Sequence, residues 1–78
     1  MKEVTLLTRQ GCHLCEDARS VVQAAVAASG CVYTEIDVDD DPELRAEYGD
    51  MVPVVLVDGV QHGYFHIEAA RLQRELDR

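Results

Sequence analysis

The sequence is short of basic residues and lacks a long hydrophobic run. Seven Lys and Arg stand against 15 Asp and Glu, which gives a formal net charge of -8 at pH 7. Nucleic acids and anionic membranes require a basic face that neutralises phosphates, so neither is predicted as a partner. The apolar run after Val4 stops at Thr8 and Arg9, which is too short for a signal-peptide core or a membrane span. We therefore expect a cytoplasmic protein.

Cysteines are also few, and their number is odd. Three cysteines in 78 residues fit a framework of structural disulfides poorly. Because the cytoplasm keeps thiols reduced, a close pair there is more often catalytic or metal-binding than a structural bridge. Internal repeats and low-complexity tracts are absent as well. The length suits one domain, residues 1–78, with a small core, and a monomer is expected.

Hydrophobic periodicity predicts seven elements in the order β-α-β-α-β-β-α. Strands are predicted at residues 4–8, 31–37, 54–57 and 60–63. The predicted helices carry apolar residues at helical spacing. The first contains Leu14, Ala18, Val21, Val22, Ala25 and Val26 and ends at Gly30. The second begins at Asp41-Pro42-Glu43 and ends at Gly49, and the third places Phe65, Ala69, Leu72 and Leu76 on one face.

The connections between these elements predict the sheet. Asp58-Gly59 is typical of a two-residue hairpin turn, so the last two strands should be antiparallel. The first two strands are joined through a helix and should be parallel with a right-handed crossover. The predicted fold class is therefore α/β, with a mixed four-stranded sheet and helices on both faces.

Cys12-His13-Leu14-Cys15 lies where the first strand leads into the first helix. A C-x-x-C motif in a βαβ pattern indicates redox chemistry. At this spacing on a helix the two sulfurs come close enough to bridge. Cys12 lies at the helix N-terminus, where unpaired N–H groups stabilise a thiolate, so it is the predicted nucleophile, with a moderately lowered pKa. Cys15, one turn deeper, suits the resolving role; His13 either stabilises the thiolate or is a solvated loop residue.

These residues carry a family resemblance. The sequence Gly11-Cys12-His13-Leu14-Cys15 after a strand, with Met51-Val52-Pro53 before the third strand and an Asp-Gly hairpin next, resembles the glutaredoxins, and most of all the short members with C-x-L-C. The resemblance spans residues 4–76 and implies a thioredoxin fold. It also implies a cis Val52-Pro53 peptide that faces the cysteines, with the Val52 backbone free to pair with an extended substrate. Arg9 would stand in for the basic residue that glutaredoxins carry before their first cysteine. The expected substrate-binding residues are Arg9, His13, Val52 and Pro53.

The sequence also departs from the glutaredoxin pattern. Many glutaredoxins read Cys-Pro-Tyr-Cys, and they carry a Gly-Gly soon followed by Asp that holds one end of glutathione. Here Gly63 is followed by Tyr64, Phe65 and His66. No cofactor is predicted, and the electron donor stays open between glutathione as co-substrate, another small thiol and a reductase of the thioredoxin-reductase type. The predicted partners are a disulfide-containing protein or a small thiol substrate, together with that donor.

The leading hypothesis is a thiol–disulfide oxidoreductase, and two alternatives use the same residues differently. Cys12 and Cys15 would be half of a zinc site, completed by His13, His62 or His66, or would share an iron–sulfur cluster between two chains. The third hypothesis is a non-catalytic binding module that kept the fold. Tyr64 and Phe65 either line a substrate surface or, as such pairs more commonly do, pack against the last helix. Cys31 is expected to be a buried apolar filler.

Overall fold

The computed structural model describes residues 2–78, and the element order is the predicted one. The strands are β1 (Glu3–Thr8), β2 (Val32–Asp37), β3 (Val54–Val57) and β4 (Val60–Tyr64). The helices are α1 (His13–Ser29), α2 (Pro42–Tyr48) and α3 (Ala69–Leu76), with a 3-10 turn at Val38–Asp40. In this part of the chain no helix has the length and apolar character needed to cross a membrane.

The four strands form one mixed sheet in the order β2-β1-β3-β4. β1 runs parallel to β2 and antiparallel to β3, and β3 pairs antiparallel with β4. The turn between β3 and β4 has φ of 53° at Asp58 and 82° at Gly59. Positive φ at both central residues is the requirement of a type I′ hairpin turn, which explains why Asp-Gly specifies it. The predicted sheet is confirmed.

Apolar side chains alternate between the two faces of the sheet and form two clusters. On one face Leu6 packs with Val22 of α1 and Leu72 of α3, and each of the three is fully buried. On the other face Leu7 packs with Val54, and the partly buried residues against them include Leu44 of α2. Because successive side chains of a strand point to opposite faces, β1 contributes to both clusters. Helices therefore cover both faces, as predicted.

Helix boundaries follow local signals where such signals exist. Gly30 ends α1 with φ of 68°, and its N–H donates to the Val26 carbonyl. Asp41 caps α2 by accepting from the N–H groups of Glu43 and Leu44, and Pro42 occupies the first turn. Cys31, expected to be buried, is half-buried just before β2 and packs against the core cluster. The last helix differs from the prediction, since Phe65 lies outside it and α3 begins only at Ala69.

Candidate active site

Cys12 and Cys15 lie at the start of α1 and are joined as a disulfide. β1 ends at Thr8, and the loop that follows passes through Gly11 with φ of 76°. That value lies in the left-handed region, where glycine is the favoured residue. Three residues apart at the helix start, the two cysteines have Cα atoms 5.3 Å apart, within the range that a disulfide spans. The helix geometry thus brings the two sulfurs together, as the sequence predicted.

The two sulfurs have different environments. Cys12 is half-buried, whereas Cys15 is only 1% exposed. Cys12 is the N-cap residue of α1, and its Sγ accepts a hydrogen bond from the Cys15 N–H at 3.2 Å. A helix N-terminus favours negative charge on such an acceptor, so the same position would stabilise the Cys12 thiolate in the reduced protein. The Cys12 sulfur is therefore the more accessible of the two, and the Cys15 sulfur is shielded behind it.

A shallow groove of about 180 Å³ opens beside the disulfide, lined by Arg9, Gln10, Gly11, Cys12, His13, Cys15, Glu16 and Arg19. His13 is exposed there as the first residue of α1, rather than the loop residue that the sequence allowed. The Arg9 Nε lies 3.0 Å from Asp39 Oδ2, and its Nη1 donates to the Gly49 carbonyl at 3.5 Å. Two of the predicted substrate-binding residues thus share the groove with the cysteines, and the charge of Arg9 is balanced by Asp39.

Val52 and Pro53 lie at the same end of the sheet as the cysteines. Leu7 pairs with Val54 in the antiparallel ladder, so the end of β1 adjoins the start of β3. The Val52–Pro53 peptide is cis, which confirms the geometry that the resemblance implied. Pro53 is buried and Val52 is half-buried, and neither lines the groove. The sheet register therefore brings these two residues to the active-site end, while their role toward a substrate stays a prediction.

Comparison with known proteins identifies the family. A family model described as "Glutaredoxin-like domain (DUF836)" matches residues 3–77. The chain belongs to this glutaredoxin-like family. Uncharacterized proteins of Mycobacterium tuberculosis and Mycobacterium bovis are 38% identical over 81 residues, covering 97% of this chain and 84% of each relative.

Solved structures agree on the fold. A structural-genomics target protein of X. campestris superposes with a TM-score of 0.76 at 32% identity, covering 95% of each chain. A mutant thioredoxin of Halobacterium salinarum superposes with a TM-score of 0.74 at 21% identity, covering 97% of this chain and 72% of that one. The second likeness shows the fold alone. This member of the glutaredoxin-like family has the thioredoxin fold, and its C-x-L-C pair occupies the start of the first helix.

An ion-pair cluster that no sequence motif indicated borders the groove. Arg19, one helical turn beyond Cys15, binds Glu35 of β2 with both Nε at 2.7 Å and Nη2 at 3.0 Å. The Tyr33 hydroxyl donates to the same carboxylate at 2.8 Å. The i to i+4 spacing from Cys15 could have placed Arg19 on the face of the groove. Its partner Glu35 is set by the pairing of β1 with β2, which no local motif shows.

Burial and hydrogen bonding in this cluster shift the pKa values of Tyr33 and Glu35 in opposite directions. Partial burial, together with the hydrogen bond to Glu35, raises the pKa of Tyr33 to about 12. The Arg19 hydrogen bond is the main cause that lowers the pKa of Glu35, and desolvation opposes it. The carboxylate is therefore ionised at neutral pH and ties α1 to β2 beside the groove.

Of the histidines suggested as further metal ligands, His13 lies in the cysteine groove, whereas His62 does not. Within residues 2–78, no three His, Cys, Asp or Glu side chains come together in a metal-binding arrangement. His62 lines a separate groove between β4 and α3, with Arg71 and Arg74 among its neighbours. Burial is the main cause that lowers the pKa of His62. A zinc site that adds His62 to the cysteine pair thus has no support in this geometry.

Tyr64 and Phe65 are exposed, whereas the favoured expectation from the sequence packed them against the last helix. Their side chains are 47% and 45% exposed, and the two rings contact each other edge to face with centroids 5.0 Å apart. The hydrophobic face of α3 is filled instead by Leu72 and Leu76, both buried. Tyr64 ends β4 and Phe65 lies in the connection before α3 begins at Ala69, so neither residue belongs to the helix.

Proposed function

We propose that this glutaredoxin-like protein is a dithiol–disulfide oxidoreductase in which Cys12 is the nucleophile and Cys15 the resolving thiol. The observation that carries the proposal is the asymmetry of the pair. Cys12 is half-buried at a helix N-terminus, and Cys15 is 1% exposed within bonding distance of it. A nucleophile must be reachable and stabilised as a thiolate, whereas a resolving thiol must be close to it and shielded.

The reaction conserves atoms and electrons in two exchanges. The Cys12 thiolate attacks one sulfur of a substrate disulfide, and the other sulfur leaves as a thiolate that takes up a proton. Cys15, as its thiolate, then attacks the Cys12 sulfur and releases the second substrate thiol. The substrate has gained two electrons and two protons, and the protein holds the Cys12–Cys15 disulfide. A thiol donor or a reductase returns the two electrons and completes the cycle.

The unpaired backbone of Val52, at the same end of the sheet as the cysteines, supports a substrate that binds in extended form. Within residues 2–78, no hydrogen bond uses the backbone N–H or carbonyl of Val52, which lies just before β3. An unpaired backbone at a sheet end can receive a short added strand. The substrate is then a disulfide-containing protein or a small disulfide held along Val52, with Arg9 and His13 on the groove side. The free thiol of Cys31 and a redox-active pair suit a reducing compartment, the cytoplasm.

The first test is an equilibrium titration in thiol–disulfide buffers, with the redox state trapped by alkylation and read by mass. A reversible Cys12–Cys15 disulfide with a potential of roughly -270 to -180 mV is expected, as for thioredoxin-like catalysts. The variant Cys12→Ser should lose turnover, and Cys15→Ser should accumulate a mixed disulfide with substrate. Cys31→Ser is the matched control and should retain turnover. Full turnover in Cys12→Ser, or thiols that never pair, would refute the proposal.

A further inference from the structure

Exposed apolar side chains are concentrated at the active-site end of the molecule. Five large hydrophobic residues of residues 2–78 are exposed: Leu14, Val32, Val60, Tyr64 and Phe65. Val32 and Val60 begin the two edge strands at the opposite end of the sheet. The other three lie at the end that carries the disulfide, with Leu14 between the two cysteines.

Backbone pairing fixes the aromatic pair beside Pro53. Tyr64 is the partner of Val54 in the β3–β4 ladder, and the Phe65 N–H donates to the Pro53 carbonyl at 2.8 Å. Val54 in turn pairs with Leu7 of β1. Neighbouring strands lie about 4.8 Å apart, so Tyr64 is about two strand spacings from the end of β1. The two rings therefore lie beside Pro53, the residue that follows Val52.

The conformation of Phe65 is unfavourable in its own right. Its φ of 60° lies in the left-handed region, which costs a bulky side chain steric strain. The residue is 45% exposed, so burial offsets little of this strain. Residues held in such conformations cluster at sites of function, where the surrounding backbone fixes them. Here the hydrogen bond to Pro53 and the one from the His66 N–H to the Tyr64 carbonyl, at 2.8 Å, hold the turn.

We infer that Tyr64 and Phe65 determine substrate specificity, and that they contact an apolar side chain beside the cysteine of an extended protein substrate. The inference rests on the proposed function and narrows its substrate class to protein segments. The two exposed rings, in edge-to-face contact, offer an apolar surface beside Pro53, next to the Val52 backbone where the proposed substrate pairs. Such a surface contributes little binding energy to a small charged disulfide. It favours a longer peptide segment that places an apolar side chain against the rings.

The net charge of the protein indicates which substrate segments it attracts. With 15 acidic and seven basic residues, the protein repels acidic partners and attracts basic ones. Arg9 and Arg19, the two cations of the cysteine groove, are already bound to Asp39 and Glu35. The occupant is accordingly a neutral or basic segment rather than an acidic one.

The test compares matched probes in a single turnover. Each probe is a cysteine in mixed disulfide with 2-nitro-5-thiobenzoate, a good leaving group whose release is read as absorbance. One lysine-containing peptide flanks this cysteine with Leu and Phe, a second flanks it with Ser, and the third probe is the free amino acid. Reduced protein is mixed with each probe, and the rate seen with Cys12→Ser is subtracted. The variants are Tyr64→Ala and Tyr64→Ala/Phe65→Gly, with Val60→Ala as the exposed apolar control on the far end of β4.

We expect wild-type protein to react about tenfold faster with the apolar peptide than with the serine peptide, a ratio that one apolar contact can supply. The double variant should lose most of this preference, Tyr64→Ala part of it, and Val60→Ala none. Three results would overturn the inference. The wild-type protein could react equally fast with both peptides, or the double variant could keep the wild-type rate ratio. The third is an equal fall in rate on all three probes in both variants. Absence of Cys12-dependent release from every probe would instead refute the proposed function, and the inference with it.

Discussion

At the scale of single residues, Phe65 and Gly30 both adopt a positive φ, and only one of them has the residue type that suits it. Gly30, with φ of 68°, has no Cβ and ends α1 without steric cost. Phe65, with φ of 60°, carries a bulky side chain in the same region, at a cost of about 1–3 kcal/mol. The end of a helix explains the positive φ of Gly30. For Phe65, the substrate contact inferred above offers a reason to retain a strained residue.

Gly30 provides a direct measure of this backbone cost. A Cβ at Gly30 would meet nothing within 4 Å, so Gly30→Ala changes the backbone energy and not the packing. We expect the free energy of unfolding, measured in urea, to fall by about 1–2 kcal/mol. Gly30→Asn is the control, since asparagine tolerates the left-handed region better and should lose less. An alanine variant as stable as wild type would contradict the assigned cap.

Tyr33 makes stability depend on pH in the alkaline range. Its folded-state pKa is raised from 10.0 to about 12, so the native state holds the phenolic proton more tightly than the unfolded state does. The contribution to stability is complete below pH 10 and is lost as the pH rises toward 12. We expect the urea midpoint of wild-type protein to fall more steeply over this window than that of Tyr33→Phe. Parallel profiles would contradict the assignment to Tyr33.

At the scale of elements, α2 combines a side-chain cap with contacts to the core. The helix has seven residues, none fully buried, and Asp41 accepts from the N–H groups of Glu43 at 3.0 Å and Leu44 at 3.3 Å. Short helices are marginal without tertiary packing. This one covers Leu7 and Val54, the buried pair that joins β1 to β3, so its cap indirectly supports the active-site end of the sheet.

Loss of this cap should lower the stability of the whole protein and increase amide exchange in α2. Asp41→Ala is expected to reduce the free energy of unfolding by about 1 kcal/mol. Amide hydrogen exchange in residues 42–48 should accelerate, because the first turn loses its acceptor. Asp41→Asn retains an acceptor at the cap and serves as the control. Unchanged exchange in α2 of the alanine variant would show that packing alone maintains the helix.

At the scale of the whole molecule, the net charge of -8 should influence which disulfides react fastest. A negative protein attracts a positive substrate over about 10 Å at 0.1 M salt, and added salt screens this attraction. We expect faster reduction of a lysine-flanked peptide disulfide than of a glutamate-flanked one at low ionic strength. The two rate constants should converge as sodium chloride is raised, and equal rates at low salt would contradict a role for the overall charge.

Much of the fold could be predicted because its signals are local. The spacing of Cys12 and Cys15, the Asp58-Gly59 turn, the cap at Asp41 and the glycine after α1 each act within a few residues of chain. Local backbone preference therefore specifies the turns, the caps and the order of elements. The start of α3 was not predicted because Glu68, its N-cap residue, makes no side-chain capping bond, and the apolar periodicity continued falsely back to Phe65.

What the sequence by itself determined is the C-x-x-C pair, its place at a helix start and the β-α-β-α-β-β-α order, all of which depend on neighbours along the chain. Only the tertiary structure decided which distant residues surround that pair. The pairing of β1 with β2 brings Glu35 within reach of Arg19, and the pairing of β3 with β4 leaves Tyr64 and Phe65 exposed beside Pro53. These contacts join residues far apart in sequence, so strand register and competition for burial determine them, and local preference does not.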